Sequence, residues 1–325
     1  MQGWFCETLS GPAGLVWKDV PTPQPGRGEV LVAVRAASLN FPDLLIVQGK
    51  YQAKPALPFV PGSEYAGVVE AVGAGVTTLH AGDAVAVIGS SGGFATHAIA
   101  AAGSVIKLPA GFALEDGAAF AFTYGTAHHA LVDRAQLRAG ETVLVLGAAG
   151  GVGSAAIQVA KAMGAKVIAA ASSDAKGAFC RGLGADATIN YATQDLRETL
   201  KQLTAGKGPD VVYDPVGGDL AEPVLRSIAW RGRYLVIGFA QGGIPALPWN
   251  LPLLKGASIV GVFWGSFVRQ EPAASARALA ELAQWYAQGR IKPAIDRRLP
   301  MRELPAAFER MASRQVQGKL LLVNA

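Results

Sequence analysis

The run Glu141-Thr142-Val143-Leu144-Val145-Leu146, followed by Gly147-Ala148-Ala149-Gly150-Gly151-Val152-Gly153, decides the fold. A continuous β-branched and aliphatic segment reads as a buried strand. The turn after it leads into Val152, Ala156, Val159 and Met163, spaced as one face of a helix. Strand, tight turn and helix in that order are the setting a dinucleotide fingerprint requires. The match is A-x-G-x-x-G, with Ala148 in place of the pattern's first glycine. Gly150 allows a close backbone approach to a pyrophosphate, and Gly153 lets the helix press on the strand. The residues from Ala148 and Ala149 through Gly150, Gly151 and Val152 present amides and a positive helix end to phosphates. The same turn also serves as a plain β–α connection in a protein without a nucleotide.

Outward from this core, Lys166–Ala170, Asp186–Ile189 and Asp210–Tyr213 read as further strands. A helix lined by Ala175, Ala178, Phe179 and Gly182 follows the first of them. Strands alternating with helices imply a doubly wound parallel sheet covered on both faces. The first ~120 residues differ: Glu29–Ala36, Gly67–Val72 and Asp83–Ile88 are short alternating segments set between Gly and Pro, as in a partly open β-barrel. After Gly261 the alternation stops; Ala276, Leu279, Ala283 and Tyr286 mark an amphipathic helix, and Lys319–Val323 a last strand. That tail is too small for a domain and is expected to fold back on the barrel. The expected organisation is an α/β chain with a barrel domain at 1–123 and 267–325 and a nucleotide domain at 124–266.

Composition agrees with two globular domains: 325 residues, 16% charged, 51% hydrophobic and 40 glycines exclude a disordered chain. The net charge of +5 is scattered with no run of five basic residues, which favours a small polyphosphate over nucleic acid. Mean hydropathy is positive at +0.29, yet no stretch approaches the ~20 apolar residues of a membrane span. Cys6 and Cys180 alone build neither a disulfide framework nor a four-cysteine zinc knot. The N-terminal segment lacks a secretory pattern, so a reducing cytoplasm is expected.

The second strand selects the dinucleotide. About 20 residues past the turn, where an NAD enzyme places an acid for the ribose diol, the chain reads Ala170-Ala171-Ser172-Ser173-Asp174-Ala175-Lys176. Ser172 can donate to a 2′-phosphate without repelling it, with Ser173 beside it, Lys176 adds positive charge, and Tyr191 can supply a hydroxyl. NADPH is therefore expected rather than NADH. The alternative is that Ser172 or Ser173 caps the next helix, Lys176 is solvated and Tyr191 packs. Asp174 is a mild objection, met if it turns toward the helix N-terminus.

Pro61-Gly62-Ser63-Glu64-Tyr65-Ala66-Gly67-Val68-Val69, Gly82-Asp83-Ala84-Val85, the glycine turn and Tyr213-Asp214-Pro215-Val216-Gly217-Gly218 resemble, in order and spacing, the medium-chain dehydrogenase/reductases. Within them the chain is similar to the zinc-free NADPH:quinone oxidoreductases, the zeta-crystallin-like group. The resemblance spans essentially the whole chain. It implies a GroES-like barrel interrupted by a Rossmann domain, with the cofactor in the cleft between them. In zinc-dependent relatives a Cys opens one segment and a His lies in another; here they read Asn40-Phe41-Pro42-Asp43 and Gly62-Ser63-Glu64. An amide and a hydroxyl hold Zn²⁺ poorly. His128 and His129 point ~100° apart on a helix and read as ordinary helix residues, so no metal is expected.

The resemblance also implies roles. Asn40 positions the nicotinamide ribose or a substrate oxygen, Asp43 orients its neighbours, and Tyr51 is the remaining phenol, since Leu45 stands where the quinone reductase pattern has tyrosine. Thr126 lies near the nicotinamide. Gly238-Phe239 and Phe263-Trp264 hold the carboxamide from strand ends, and Arg314, with Lys319 as a second candidate, returns to the 2′-phosphate. Plainer alternatives stand beside each: an Asx/Pro turn at Asn40, a loop anchor at Tyr51, helix capping at Thr126 and surface charge at Arg314 and Lys319.

Without a metal to stabilise an alkoxide, reduction of a polarised acceptor is the expected chemistry, because a quinone or enone spreads the delivered charge over its own oxygen. Two alternatives are an enoyl thioester reductase with Lys50 and Lys54 at its entrance, and a non-catalytic NADPH-binding stress or RNA-binding protein. The apolar run Ala257–Phe263 would form a sheet edge, for which a homodimer is expected.

Overall fold

The computed structural model describes residues 1–324, which fall into two compact units, one of Met1–Phe122 with the described chain from Ile295 onward, the other Thr123–Ala294. The first contains β1 (Gln2–Cys6), β2 (Leu15–Asp19), β3 (Glu29–Leu39), β4 (Glu64–Val72), β5 (Ala84–Ile88), β6 (His97–Ala101) and β7 (Val105–Lys107). The second contains β8 (Thr142–Val145), β9 (Lys166–Ala171), β10 (Ala187–Asn190), β11 (Val211–Asp214), β12 (Arg233–Val236) and β13 (Ser258–Gly261). The chain then returns to the first unit with β14 (Ile295–Pro300) and β15 (Lys319–Val323).

In the second unit six parallel strands lie in the order β10-β9-β8-β11-β12-β13. Both faces are covered, which is why β8 reads as a continuous apolar run. One core face gathers Leu144, Leu146, Ile168, Val212, Val224 and Leu225, all buried, each stabilising the unit by about 1.5–3 kcal/mol through loss of apolar surface to water. The helix Gly151–Ala162 follows β8, with Ala156 and Val159 buried as the spacing requires. The helix Asp174–Gly182 turns Gly177 and Cys180 inward, while Ala175 and Ala178, expected on the inner face, are exposed.

The first unit is built on a seven-stranded sheet in which β15 joins β3 antiparallel, β3 pairs β4 and β6, and β14 adds parallel to β15. Strand β3 runs three residues beyond the expected Ala36, through Ala37 and Ser38 to Leu39, because the last strand covers it there.

The second boundary differs from the expected 266/267. The helix Pro272–Ala287 buries Ser275, Leu282 and Trp285, a face one position away from the expected one. It stays with the nucleotide unit through Glu281, whose carboxylate lies 2.9 Å from His128 Nε2. Gln158 then pins Lys292 by donating to its carbonyl (3.0 Å) and accepting from its N–H (2.8 Å), so the chain leaves this unit only after Ala294. Amphipathic spacing announces a helix but not which core it covers.

Candidate active site

In the nucleotide unit the chain leaves β8 through Gly147, whose φ of +54° favours glycine. Gly150 is the N-cap of the helix that follows and, lacking a side chain, offers no cap to the first-turn amides, which leaves them for an anion. A Cβ on Gly153 would lie 2.5 Å from the Gly147 carbonyl oxygen and 2.7 Å from the Ala148 Cα, so only glycine allows this contact between helix and turn. Gly150, Gly151 and Val152 are half-buried, and Ala149 is buried. Ala148 departs from its expected part: it is fully buried and donates its N–H to the Ala170 carbonyl at 3.1 Å, so it is a packing residue.

At the end of β9, Lys176 Nζ donates to Ser172 Oγ at 3.2 Å, bringing an ammonium and a hydroxyl together where an NAD enzyme carries an acid. Ser173 is the helix N-cap, accepting from the Lys176 N–H at 3.3 Å, which leaves Ser172 as the hydroxyl for a ligand. Asp174 turns aside and accepts from Asn190 Nδ2 at 2.9 Å. Tyr191 donates its backbone N–H to Ala171 and packs its half-buried ring on the core.

On the far strands, Asp214 holds the turn after β11: one oxygen accepts from the N–H groups of Val216 (2.8 Å) and Gly217 (2.9 Å), the other from the Tyr234 hydroxyl (2.5 Å). Gly238 and Phe239 follow β12, and the Phe239 ring would meet a Cβ on Gly217 at 2.7 Å. Phe263 is exposed, and its carbonyl accepts the first bonds of the helix Trp264–Gln270. The Trp264 indole is buried over Gly125, 2.7 Å from where a Cβ would stand. Thr126 is buried inside the helix Ala121–His128, away from its N-terminus, so capping does not account for it. The imidazole of His128 faces Glu281, while His129 stacks on Phe267 at 4.1 Å with Nδ1 2.9 Å from Asp133.

The barrel unit holds a buried polar cluster. Asp43 accepts from the backbone N–H of Asn40 (2.8 Å) and of Ser63 (2.9 Å), so one carboxylate ties together the two segments that sequence comparison set apart as metal-ligand positions. Burial pushes Asp43 up to about 6, against the two backbone N–H groups, the Ser63 side chain and the Lys319 charge, which pull it down. Glu64 is 0% exposed; Oε1 accepts from the Phe122 N–H (2.8 Å), and Oε2 from Ser38 Oγ (2.6 Å), Asn40 Nδ2 (3.2 Å) and Lys319 Nζ (3.2 Å). Lys319 also donates to Asn40 Oδ1 at 2.5 Å. Tyr51 is half-buried against the hydrophobic core of the barrel unit.

The Asp43 environment sets a pH signature. Its folded-state value lies above its unfolded value of 3.8, so between about pH 4 and 6 the native chain keeps a proton that the unfolded chain has released. Relative to Asp43→Asn, wild-type stability is expected to fall by about 2 kcal/mol from pH 4 to 7 and then level off, read by chemical denaturation. A flat difference would contradict the assignment.

Two family models match this chain: the alcohol dehydrogenase GroES-like domain over residues 26–110, and the zinc-binding dehydrogenase family over 151–283. Quinone oxidoreductase-like protein 2 of Rattus norvegicus is 40% identical over 318 residues, covering 98% of this chain and 90% of the relative. The quinone oxidoreductase of Homo sapiens is 34% identical over 307 residues, covering 94% and 92%. The chain belongs to the quinone oxidoreductase family of the medium-chain dehydrogenase/reductases. Among solved structures, the Escherichia coli quinone oxidoreductase complexed with NADPH superimposes with a TM-score of 0.91 at 31% identity over all of both chains.

As a member of that family the chain is an oxidoreductase with a GroES-like unit and a Rossmann unit. The zinc in the second model's name does not suit its residues. The positions resembling metal ligands carry Asn40 and Ser63, and the cluster already contains a cation, the Lys319 ammonium. Among the described residues no three His, Cys, Asp or Glu converge on a metal position. Both cysteines are free and buried, and burial pushes the Cys180 thiol up to about 11, which removes it as a thiolate.

Lys319 departs most from its expected part. It is 4% exposed and committed to Asn40 and Glu64, so it cannot meet a 2′-phosphate. Arg314 is exposed at the end of the helix Leu304–Ala312, with φ +57°. Sequence reasoning missed Ser38 and Glu64 as members of the cluster. The signal was an acid and a lysine each opening a strand and followed directly by apolar residues, Glu64-Tyr65-Ala66 and Lys319-Leu320-Leu321. Charges of opposite sign in such positions are buried only as a pair.

Proposed function

We propose that this quinone oxidoreductase family member is an NADPH-dependent, metal-independent reductase of quinones or α,β-unsaturated carbonyls. The contact between Lys176 and Ser172 carries the cofactor reading, because it puts positive charge and a donor where NAD enzymes place an acid. NADPH would be held by the amides of Ala149, Gly150, Gly151 and Val152 at the pyrophosphate, and by Ser172 and Lys176 at the 2′-phosphate. Tyr191 would add packing, and Arg314 a further charge. Gly238, Phe239, Phe263, Trp264 and Thr126 are assigned to the nicotinamide end. When bound, the cofactor supplies hydride.

The chain's own residues then have modest work. A conjugated acceptor spreads the incoming charge over its oxygen, so a neutral donor such as the Tyr51 hydroxyl suffices to stabilise it. Proton delivery to that oxygen comes from Tyr51 or from water. Asp43 holds the Asn40 segment against the Ser63 segment and touches no substrate.

The test is steady-state NADPH oxidation with 1,4-benzoquinone, 9,10-phenanthrenequinone and simple enones, with crotonyl and acryloyl thioesters alongside. Turnover of the first group is expected. Inactivity on all of them by a protein that binds NADPH would discard the proposal, and preference for thioesters would move the assignment to an enoyl thioester reductase.

We further propose a homodimer. Strand β13 ends the sheet, and among the described residues no strand pairs with its outer edge. Trp230, whose ring lies over Gly256, is exposed, as are Trp249, Leu253 and Leu254 in the segment leading to β13. Sedimentation as a monomer at micromolar concentration would contradict it. Among the described residues no helix is long and apolar enough to cross a membrane. We place the protein in the cytoplasm, where its two buried thiols stay reduced, and cell fractionation checks this.

A further inference from the structure

Asp174 is an acid set among groups assigned to an anion. It follows Ser173 directly and stands two positions before Lys176, whose ammonium reaches back to Ser172 Oγ at 3.2 Å. The N-cap of its helix is already made by Ser173, which accepts from the Lys176 N–H at 3.3 Å, so the helix does not need the Asp174 carboxylate there. What turns Asp174 aside lies on the neighbouring strand. Asn190 ends β10, in register with Ala171, the residue before Ser172. Its Nδ2 donates to Asp174 Oδ1 at 2.9 Å, and its Oδ1 accepts from the Ala192 N–H at 3.1 Å. The second bond fixes which way round the amide sits, since the reverse would set its NH₂ against another N–H. The Asn190 backbone is held too: its N–H donates to Gln194 Oε1 at 2.7 Å, and its carbonyl accepts from the N–H groups of Thr193 (3.1 Å) and Gln194 (2.8 Å). A fixed donor thus restrains an exposed carboxylate.

We infer that Asn190 is a positioning residue for the choice of dinucleotide: it holds the Asp174 carboxylate away from Ser172 and Lys176 and so keeps those two groups open to a 2′-phosphate. This rests on the proposed function for the place of the 2′-phosphate. An unheld Asp174 is drawn to the Lys176 ammonium, and a carboxylate there cancels the cation and repels the phosphate. NADH carries no phosphate at that position and gains nothing from the restraint. The chain therefore tolerates an acid in the loop where acids select NAD, because one amide on the next strand turns it aside.

The test compares Asn190→Ala, Asn190→Asp, Asp174→Asn and the exchanged pair Asp174→Asn/Asn190→Asp. Each is measured for NADPH and NADH affinity by fluorescence titration at fixed ionic strength, and for melting temperature. Asn190→Ala releases the carboxylate and is expected to weaken NADPH binding about threefold, the scale of repulsion between exposed charges in water. Asn190→Asp keeps an acceptor for the Ala192 N–H but sets one carboxylate against another, and is expected to weaken NADPH binding about tenfold. In both, NADH affinity is expected to stay within about twofold of wild type, because the repelled phosphate is absent. Asp174→Asn has no carboxylate to restrain and is expected to bind NADPH at least as tightly as wild type. The exchanged pair again faces one amide with one carboxylate, and is expected to return NADPH affinity to within about twofold of wild type. A merely structural Asn190 would weaken both nucleotides alike and would not be rescued by the exchange. Unchanged NADPH affinity in both Asn190 variants, equal losses for the two nucleotides, or an exchanged pair as weak as Asn190→Asp would overturn the inference alone, with the wild type still preferring NADPH. A wild type without that preference would overturn it together with the proposed function.

Discussion

Gly153→Val is expected to abolish measurable NADPH binding and to lower the stability of the nucleotide unit by about 3 kcal/mol or more. The first atom of any side chain here meets the Gly147 carbonyl oxygen at 2.5 Å, the Ala148 Cα at 2.7 Å and the Ala148 carbonyl carbon at 2.9 Å. All three are backbone, so no rotamer change relieves them, and the helix Gly151–Ala162 has to withdraw from the turn. Overpacking a core usually costs about 1–3 kcal/mol when side chains can adjust; here they cannot, which puts the cost at or beyond the upper end. The withdrawal also moves the amides of Gly151 and Val152, the groups assigned to the pyrophosphate. Gly182→Ala is the control, because a Cβ there meets nothing within 4 Å. It should change stability by less than about 1 kcal/mol and leave binding intact. Urea denaturation and fluorescence titration read both variants, and wild-type NADPH affinity in Gly153→Val would show that the helix and turn do not form the cofactor cradle.

The second large effect is expected from Ser172→Asp combined with Lys176→Glu. Ser172 Oγ and Lys176 Nζ lie 3.2 Å apart, and Ser173, committed to its own helix cap, cannot replace them. Each charge-assisted hydrogen bond to a phosphate contributes about 1.5–3 kcal/mol, so losing two weakens NADPH binding by about 10²–10⁴-fold. Repulsion from the new carboxylates adds to this, while NADH, with no 2′-phosphate, should keep its affinity or gain from an acid facing the ribose diol. Equal loss for both nucleotides would place the 2′-phosphate elsewhere, with Arg314 the remaining candidate on the chain.

How far the sequence could be read follows from the range of the interactions involved. Four strands of the parallel sheet were legible to within about one residue, as with Lys166–Ala171 and Val211–Asp214, because a strand buried on both faces writes itself as a continuous apolar run; Arg233–Val236 was not bounded, and the edge strand Ser258–Gly261 was read too long. The glycine turn was legible for the same reason: its requirement is local, set by residues six apart. Ser172 and Lys176 were singled out as candidates by their place after β9, although separating Ser172 from the helix cap Ser173 needed the cap bond to be seen. The boundary near Ala294 was not legible, since the helix Pro272–Ala287 is amphipathic whichever core it covers. Least legible was Lys319. It lies 255 positions from Glu64 and 279 from Asn40, and only the pairing of β15 with β3 and β3 with β4 brings the three together. A lysine ahead of four apolar residues reads as the surface end of a strand until that register is known.

The measurement that tests the central claim most directly is a pair of equilibrium titrations of the wild-type protein, NADPH against NADH, followed by nucleotide fluorescence at fixed ionic strength. With Ser172 and Lys176 answering the 2′-phosphate, NADPH is predicted to bind at least about tenfold more tightly than NADH. Equal affinity for the two nucleotides, tighter binding of NADH, or no binding of either would contradict the account.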